Sequence, residues 1–142
     1  MNISGRTKLF PIIGDPVAGV VSPPAVNAWF EANAVDACMM PLNIPASYIT
    51  GFWDMLRASN TFLGCSITYP HKQSAYAQVD TMTERATRLG ALNTVRRADD
   101  GSLCGDATDG TALLQAAGQA GARVNGACVH ITGAGGGAGR AI

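Results

Sequence analysis

Short apolar runs alternate with segments of helical period along nearly the whole of this 142-residue chain, and that alternation points to a layered α/β fold. Leu9 to Ile13 reads as a first strand, stopped by Gly14-Asp15-Pro16. Ser22-Pro23 has the form of an N-cap followed by proline at the first helical position. Val26, Trp29 and Phe30 then follow at helical spacing and predict a helix over 23–34. Ala37 to Leu42 reads as a second strand, with Pro41 suggesting a sheet edge. A second helix opens near Pro45, with Ile49, Phe52, Trp53 and Leu56 on one core-facing side. Phe62 to Ile67 is a third strand. Thr83-Glu84-Arg85-Ala86 starts a short helix that Gly90 suits as a stop. Two strands flank Asp99-Asp100-Gly101, whose Asp-Gly is a hairpin signal. An alanine-rich helix follows over about 110–120.

Composition narrows the function classes. Ten basic and ten acidic residues cancel, so nothing electrostatic favours nucleic acid or an anionic membrane. No apolar run approaches the roughly 20 residues needed to span a bilayer, and Met1 to Arg6 lacks the apolar core of a signal peptide. The expected location is the cytoplasm. Cys38, Cys65, Cys104 and Cys128 form no CxxC pair and sit in apolar stretches, where cysteine behaves as a small hydrophobe. With only His71 and His130 beside them, no zinc ligand set is expected.

Near its end the chain changes character. Ala127-Cys128-Val129-His130-Ile131-Thr132 reads as a buried strand running into Gly133-Ala134-Gly135-Gly136-Gly137-Ala138-Gly139. A strand feeding a glycine-rich turn is how a dinucleotide-binding βαβ unit begins. Such a motif is weak alone and gains weight from its position after an apolar strand. The residues that would select NAD or NADP, about 20 positions on, lie beyond Ile142. The expected organisation is a substrate-binding domain over 1–108, then a connecting helix and the truncated start of a dinucleotide-binding domain over 109–142. Such a piece is expected to be inactive by itself.

Three segments are polar where a plain core has no need of it. Thr68-Tyr69-Pro70-His71-Lys72 puts a lysine at the mouth of a strand, Gly90-Ala91-Leu92-Asn93-Thr94 an amide in an apolar run, and Gly105-Asp106-Ala107-Thr108-Asp109-Gly110 a carboxylate at a strand-to-helix turn. Ligands of α/β sheets bind at the carboxyl ends of strands, where all three segments can converge. A lysine, a carboxylate and an amide together would hold a polyhydroxylated ligand and move a proton. Each also has a plain structural role open to it: Lys72 as a solvated helix-start lysine, Asp109 as an N-cap, Asn93 as a partner for backbone groups.

In order and spacing these segments, together with Gly14-Asp15-Pro16-Val17, Ser22-Pro23 and the terminal glycines, resemble the shikimate/quinate dehydrogenase family from about residue 9 onward. The resemblance implies an N-terminal three-layer α/β domain with a mostly parallel sheet, joined across a cleft to a Rossmann domain holding NADP, or NAD. It implies reversible NADP(H)-dependent reduction of 3-dehydroshikimate to shikimate, or of a quinate-like relative, by a monomer or homodimer. Lys72 would be the catalytic lysine and Asp109 its partner. Asn93 would bind a ring hydroxyl, Thr68 the substrate carboxylate or a neighbouring hydroxyl, and Gly133, Gly135 and Gly136 the cofactor.

The departures from the family pattern are specific. The family's His-Ser-x-Ser-Pro run, whose two serines grip the substrate carboxylate, is Gly19-Val20-Val21-Ser22-Pro23 in this chain. Ser22 remains and Val20 replaces the first serine. Ser66 and Ala107 each stand where the family usually has asparagine. Losing one hydrogen bond to a carboxylate costs about 1.5–3 kcal/mol, so a paralogue with a substrate altered at C1 is favoured over the housekeeping enzyme. Two other readings are a non-catalytic binder of cyclitol acids and a two-domain enzyme of the methylene-tetrahydrofolate dehydrogenase type. A binder has no need of a lysine–carboxylate pair, and nine aromatic residues, most at core spacing, offer little for pterin stacking.

Overall fold

Ile12 and Ile13, adjacent on one strand, point to opposite faces of the sheet and divide the interior into two cores. A computed structural model describes residues 2–135 of the protein. The first strand region is two short strands, β1 (Lys8–Leu9) and β2 (Ile12–Gly14), where a single strand over 9–13 is expected. The second is likewise β3 (Ala37–Cys38) and β4 (Pro41–Asn43). The parallel pair β1–β3 stands apart from a six-stranded sheet. The other strands of that sheet are β5 (Gly64–Ile67), β6 (Thr81–Met82), β7 (Thr94–Arg97) and β8 (Leu103–Asp106), in the order β4-β2-β5-β7-β8-β6. Parallel pairing joins β4 to β2, β2 to β5 and β6 to β8, while β7 runs antiparallel to both its neighbours. Pro41 lies on the edge strand β4, where its missing N–H breaks no ladder.

Helices cover both faces and give three layers. Helix α1 (Ser22–Ala32) packs Phe30 onto Ile12, Ala37 and Met39. On the other face α2 (Ile49–Ala58) sets Phe52, Trp53 and Leu56 against Ile13, Cys65, Ile67 and Val95. There α3 (Glu84–Leu89) adds Ala86. The Thr83 hydroxyl accepts the Ala86 N–H at its start, and Gly90 stops it in the left-handed region at φ 63°. Gly101, at φ 87°, turns the β7–β8 hairpin. Its α-carbon approaches the Arg57 carbonyl so closely that an added Cβ would lie 2.9 Å from that oxygen. Helix α4 (Asp109–Gln119) follows β8 and is buried only at Gly110. β6 and the short 3-10 helix Ser74–Gln78 are too brief to show a period in the sequence.

Three expectations are corrected. Residues 127–132 form no strand and are largely exposed, with Val129 at 62%. An extended segment counts as a strand only when a neighbour takes up its backbone groups, and neither edge of the sheet does. Cys128 is accordingly exposed, unlike the buried Cys65, whose thiol burial keeps protonated. Ser22 is not the N-cap of α1. The Val20 N–H bonds to the Val17 carbonyl at 3.1 Å, Val21 is already in helical conformation at the cap position, and no side chain caps the helix.

Candidate functional site

All the polar segments meet at one edge of the sheet because of strand direction. The parallel strands β4, β2 and β5 end there at Asn43, Gly14 and Ile67, β8 ends there at Asp106, and antiparallel β7 begins there at Thr94. Residues following or preceding these ends therefore share a mouth. The Thr68 N–H donates to the Ile13 carbonyl at 2.9 Å and the Asp15 N–H to the Tyr69 carbonyl at 2.9 Å, which ties the β2 and β5 exits together. Gly14 makes this possible, since a Cβ there would lie 2.4 Å from Thr68 Cγ2. Both Asp15–Pro16 and Tyr69–Pro70 peptide bonds are cis.

At the mouth, Lys72 Nζ donates to Asp109 Oδ2 at 2.5 Å, with the two side chains 19% and 38% exposed. Asn93 holds the other carboxylate oxygen, its Nδ2 donating to Asp109 Oδ1 at 2.8 Å and to Thr108 Oγ1 at 2.9 Å. Its Oδ1 accepts the Thr108 N–H at 2.6 Å. Asn93 is itself fixed by its backbone, N–H to the Asp106 carbonyl and carbonyl to the Ile67 N–H. The Leu92 N–H bonds to the Lys72 carbonyl, so the lysine loop and the asparagine turn are laced together. A small recess there is lined by Lys72, Leu89, Ala91, Leu92, Asn93, Ala107 and Asp109. Larger and more open recesses elsewhere, such as the one beside Phe30 and Asp36, bring no comparable set of groups together.

Two residues not singled out in the sequence support this corner. His71 is buried, and its Nε2 lies 2.7 Å from the Ile44 carbonyl, pinning the exit of β4 to the lysine loop. Asp106 is chelated by Arg85 through Nε at 2.7 Å and Nη2 at 2.5 Å and accepts the Thr83 hydroxyl. Led by the Arg85 bonds, with help from Thr83 and the Ala107 N–H, its carboxyl is pulled down to about 2. Arg85 and Asp106 are separated in sequence by β7 and are brought together only by the sheet.

The remaining candidates are more scattered. Ser66 Oγ donates to the Asn93 carbonyl at 3.3 Å, a structural bond. Thr68 is half-buried at the mouth. Val20 is half-buried and packs against the Ile12–Phe30 core. Ser22 Oγ is buried without a partner. Ala107 is buried in the main core. Gly133 has φ 81°, and nothing lies within 4 Å of a Cβ added at Gly133 or Gly135, both of which are exposed. Gly136 lies outside the described residues. Among the described residues no group of three His, Cys, Asp or Glu is placed to hold a metal, and no helix is long and apolar enough to cross a membrane.

Residues 12–95 match the family model described as the shikimate dehydrogenase substrate binding domain. The chain belongs to the shikimate dehydrogenase family. It is 40% identical over 136 residues to the shikimate dehydrogenase (NADP(+)) of Rubrobacter xylanophilus, covering 96% of this chain and 48% of that protein. The crystal structure of shikimate 5-dehydrogenase from Thermus thermophilus in complex with shikimate superposes with a TM-score of 0.86 at 30% identity, over 96% of this chain and 51% of that one. The ligand-free 5-ketofructose reductase of a Gluconobacter strain superposes with a TM-score of 0.85 at 29% identity, over 97% and 48%. The chain thus spans about half the length of the curated relatives it matches.

Proposed function

We propose that residues 1–108 form the substrate-binding part of an NADP(H)-dependent oxidoreductase that interconverts a ketone and an alcohol on a polyhydroxylated substrate of the shikimate type. The observation that carries this reading is the Lys72–Asp109 pair at the mouth of the sheet, backed by Asn93. When bound, the cofactor would supply or take a hydride, and Gly133 and Gly135 are the described residues suited to its phosphates. The chain's own residues handle the proton. As a carbonyl oxygen gains negative charge, the Lys72 ammonium stabilises it and donates a proton. Asp109 accepts from Lys72 with one oxygen and from Asn93 with the other, which fixes the direction of the ammonium and leaves both residues' remaining sites for substrate hydroxyls. In a protein where this chain is joined to a cofactor-binding half, Lys72→Ala is expected to lower kcat by about 10²–10⁴. Turnover of shikimate or quinate with NADP+, wild type against variant, is the test. A near-normal kcat would remove the lysine from the mechanism and return it to a helix-start role.

A further inference from the structure

The two walls of the mouth meet at the exit of β4, where neighbouring residues hold different loops. Asn43 holds the apolar wall, the loop between β2 and α1. Its Nδ2 donates to Asp15 Oδ1 at 2.9 Å and its Oδ1 accepts the Val17 N–H at 3.1 Å, so one amide closes the start of that loop. Ile44 works in the other direction. Its N–H donates to the Gly14 carbonyl at 2.9 Å, and its carbonyl lies 2.7 Å from Nε2 of His71, the residue before Lys72. A carbonyl only accepts, so Nε2 carries the proton and the imidazole is the donor. With His71 1% exposed, water does not compete for that bond. Past the ring, the Lys72 carbonyl accepts the Leu92 N–H at 2.9 Å. The backbone that carries the lysine is thus strung between two tethers, His71 to β4 and Leu92 at the approach to β7.

From this we infer that His71 and Asn43 are positioning residues with separate duties: His71 sets the lysine loop for proton transfer, and Asn43 sets the β2–α1 loop for substrate binding. The inference rests on the reading above, in which Lys72 gives the proton, and adds two residues that act through others. Asp109 fixes the direction of the ammonium, but its reach depends on where the loop holds the α-carbon of Lys72. Releasing the His71 tether lets that α-carbon shift, and a displacement of about 1 Å at a reacting group costs up to about 100-fold in rate. The Asn43 clasp binds Asp15 and Val17 rather than the lysine loop. Loosening it relaxes a wall that substrate meets before and during reaction alike, and such a loss appears in KM.

The test is steady-state turnover of shikimate with NADP+ by the protein in which this chain is joined to a cofactor-binding half. His71→Phe keeps a ring of similar volume and removes the N–H. It is expected to lower kcat about 10-fold while KM stays within about 2-fold of wild type. His71→Gln restores an N–H donor at about the reach of Nε2 and should bring kcat back to within about 3-fold of wild type. Asn43→Ala should do the reverse, raising KM about 5-fold with kcat within about 2-fold. Circular dichroism checks the fold of each variant. Ring 15N shifts of His71 in the unsubstituted chain report the bond directly, and they decide together with His71→Gln if the phenylalanine variant does not fold. A neutral ring protonated at Nε2 is expected, and a ring protonated at Nδ1 alone would overturn the inference. So would a wild-type kcat in His71→Phe, a glutamine variant no better than phenylalanine, or the same change of KM and kcat in His71→Phe and Asn43→Ala. Lys72→Ala, run alongside, keeps the two claims apart: a near-normal kcat there overturns the lysine chemistry itself, whereas a large drop leaves that chemistry standing whatever His71 and Asn43 do.

Discussion

The two sides of the mouth are built on opposite plans. On the β5–β7–β8 side the polar groups are tied to one another: Asn93 alone makes bonds to Thr108 and to Asp109, and Asp109 spans Asn93 and Lys72. On the β2–α1 side the loop is apolar after Asp15, its helix lacks a side-chain cap, and the hydroxyl of Ser22 at the start of that helix is buried without a partner. The difference teaches where rigidity is placed. Asn93 and Asp109 are each held by more than one side-chain bond, whereas beyond the Asn43 bonds to Asp15 and to the Val17 N–H the facing loop is shaped by the packing of its valines. A change on the first side should disturb both stability and chemistry, and a change on the second mainly fit.

The largest stability effect expected from this contrast is at Asn93. Asn93→Ala removes the acceptor for the Thr108 N–H and two donors in one step, leaving a half-buried N–H unpaired. That costs about 2 kcal/mol. Urea denaturation should show the midpoint falling with an unchanged slope. Because Asp109 loses one of its two holds, kcat should fall as well. A variant as stable as the wild type would mean that water replaces the amide and that this side is less tightly built than its bonds suggest.

Next in size is the acid response of the Arg85–Asp106 clasp. The folded-state carboxyl sits at about 2, below its ordinary 3.8, chiefly through Arg85. A depressed carboxyl contributes stability that is complete above about pH 4 and disappears as pH falls toward 2. With Arg85 45% exposed, solvent screening keeps that contribution small. Arg85→Ala should therefore be less stable than wild type at pH 6 and converge with it near pH 2. Equal loss at both pH values would show that Arg85 acts through packing of its stem instead.

Much of this was legible in the residues. Ile49, Phe52, Trp53 and Leu56 declared a core face by spacing, and Thr83 and Gly90 marked both ends of α3 by their capping chemistry. Asp-Gly fixed the hairpin, and the mouth residues Lys72, Asn93 and Asp109 stood out as polar groups at ends of apolar runs. What escaped depends on tertiary partners. Two-residue strands such as β6 exist because β8 lies alongside, which no local pattern reports. Ala127 to Thr132 has the composition of a strand, but composition cannot supply a neighbour for its backbone. His71 and Arg85 carry no local signal because their partners, Ile44 and Asp106, are brought to them by the sheet.

The smallest expected effect lies on the apolar wall and asks whether that wall is packing at all. Val20 and Val21 are adjacent, yet one packs against the Ile12–Phe30 core and the other is 86% exposed. Replacing a half-buried valine by serine removes roughly half the transfer free energy of a buried aliphatic side chain, about 1 kcal/mol. In a chain of this size that lowers Tm by roughly 3–4 °C. Val21→Ser, stripped of no contacts, should stay within about 0.5 kcal/mol of wild type. Thermal unfolding of the pair, side by side, gives the difference directly. A drop confined to Val20→Ser supports a wall held by its own hydrophobic contacts, which is why it can omit hydrogen-bond donors without losing its shape. Equal Tm values for the two variants would mean that Val20 contributes no packing, and the valine at this position would then have to be explained by what it presents to the ligand.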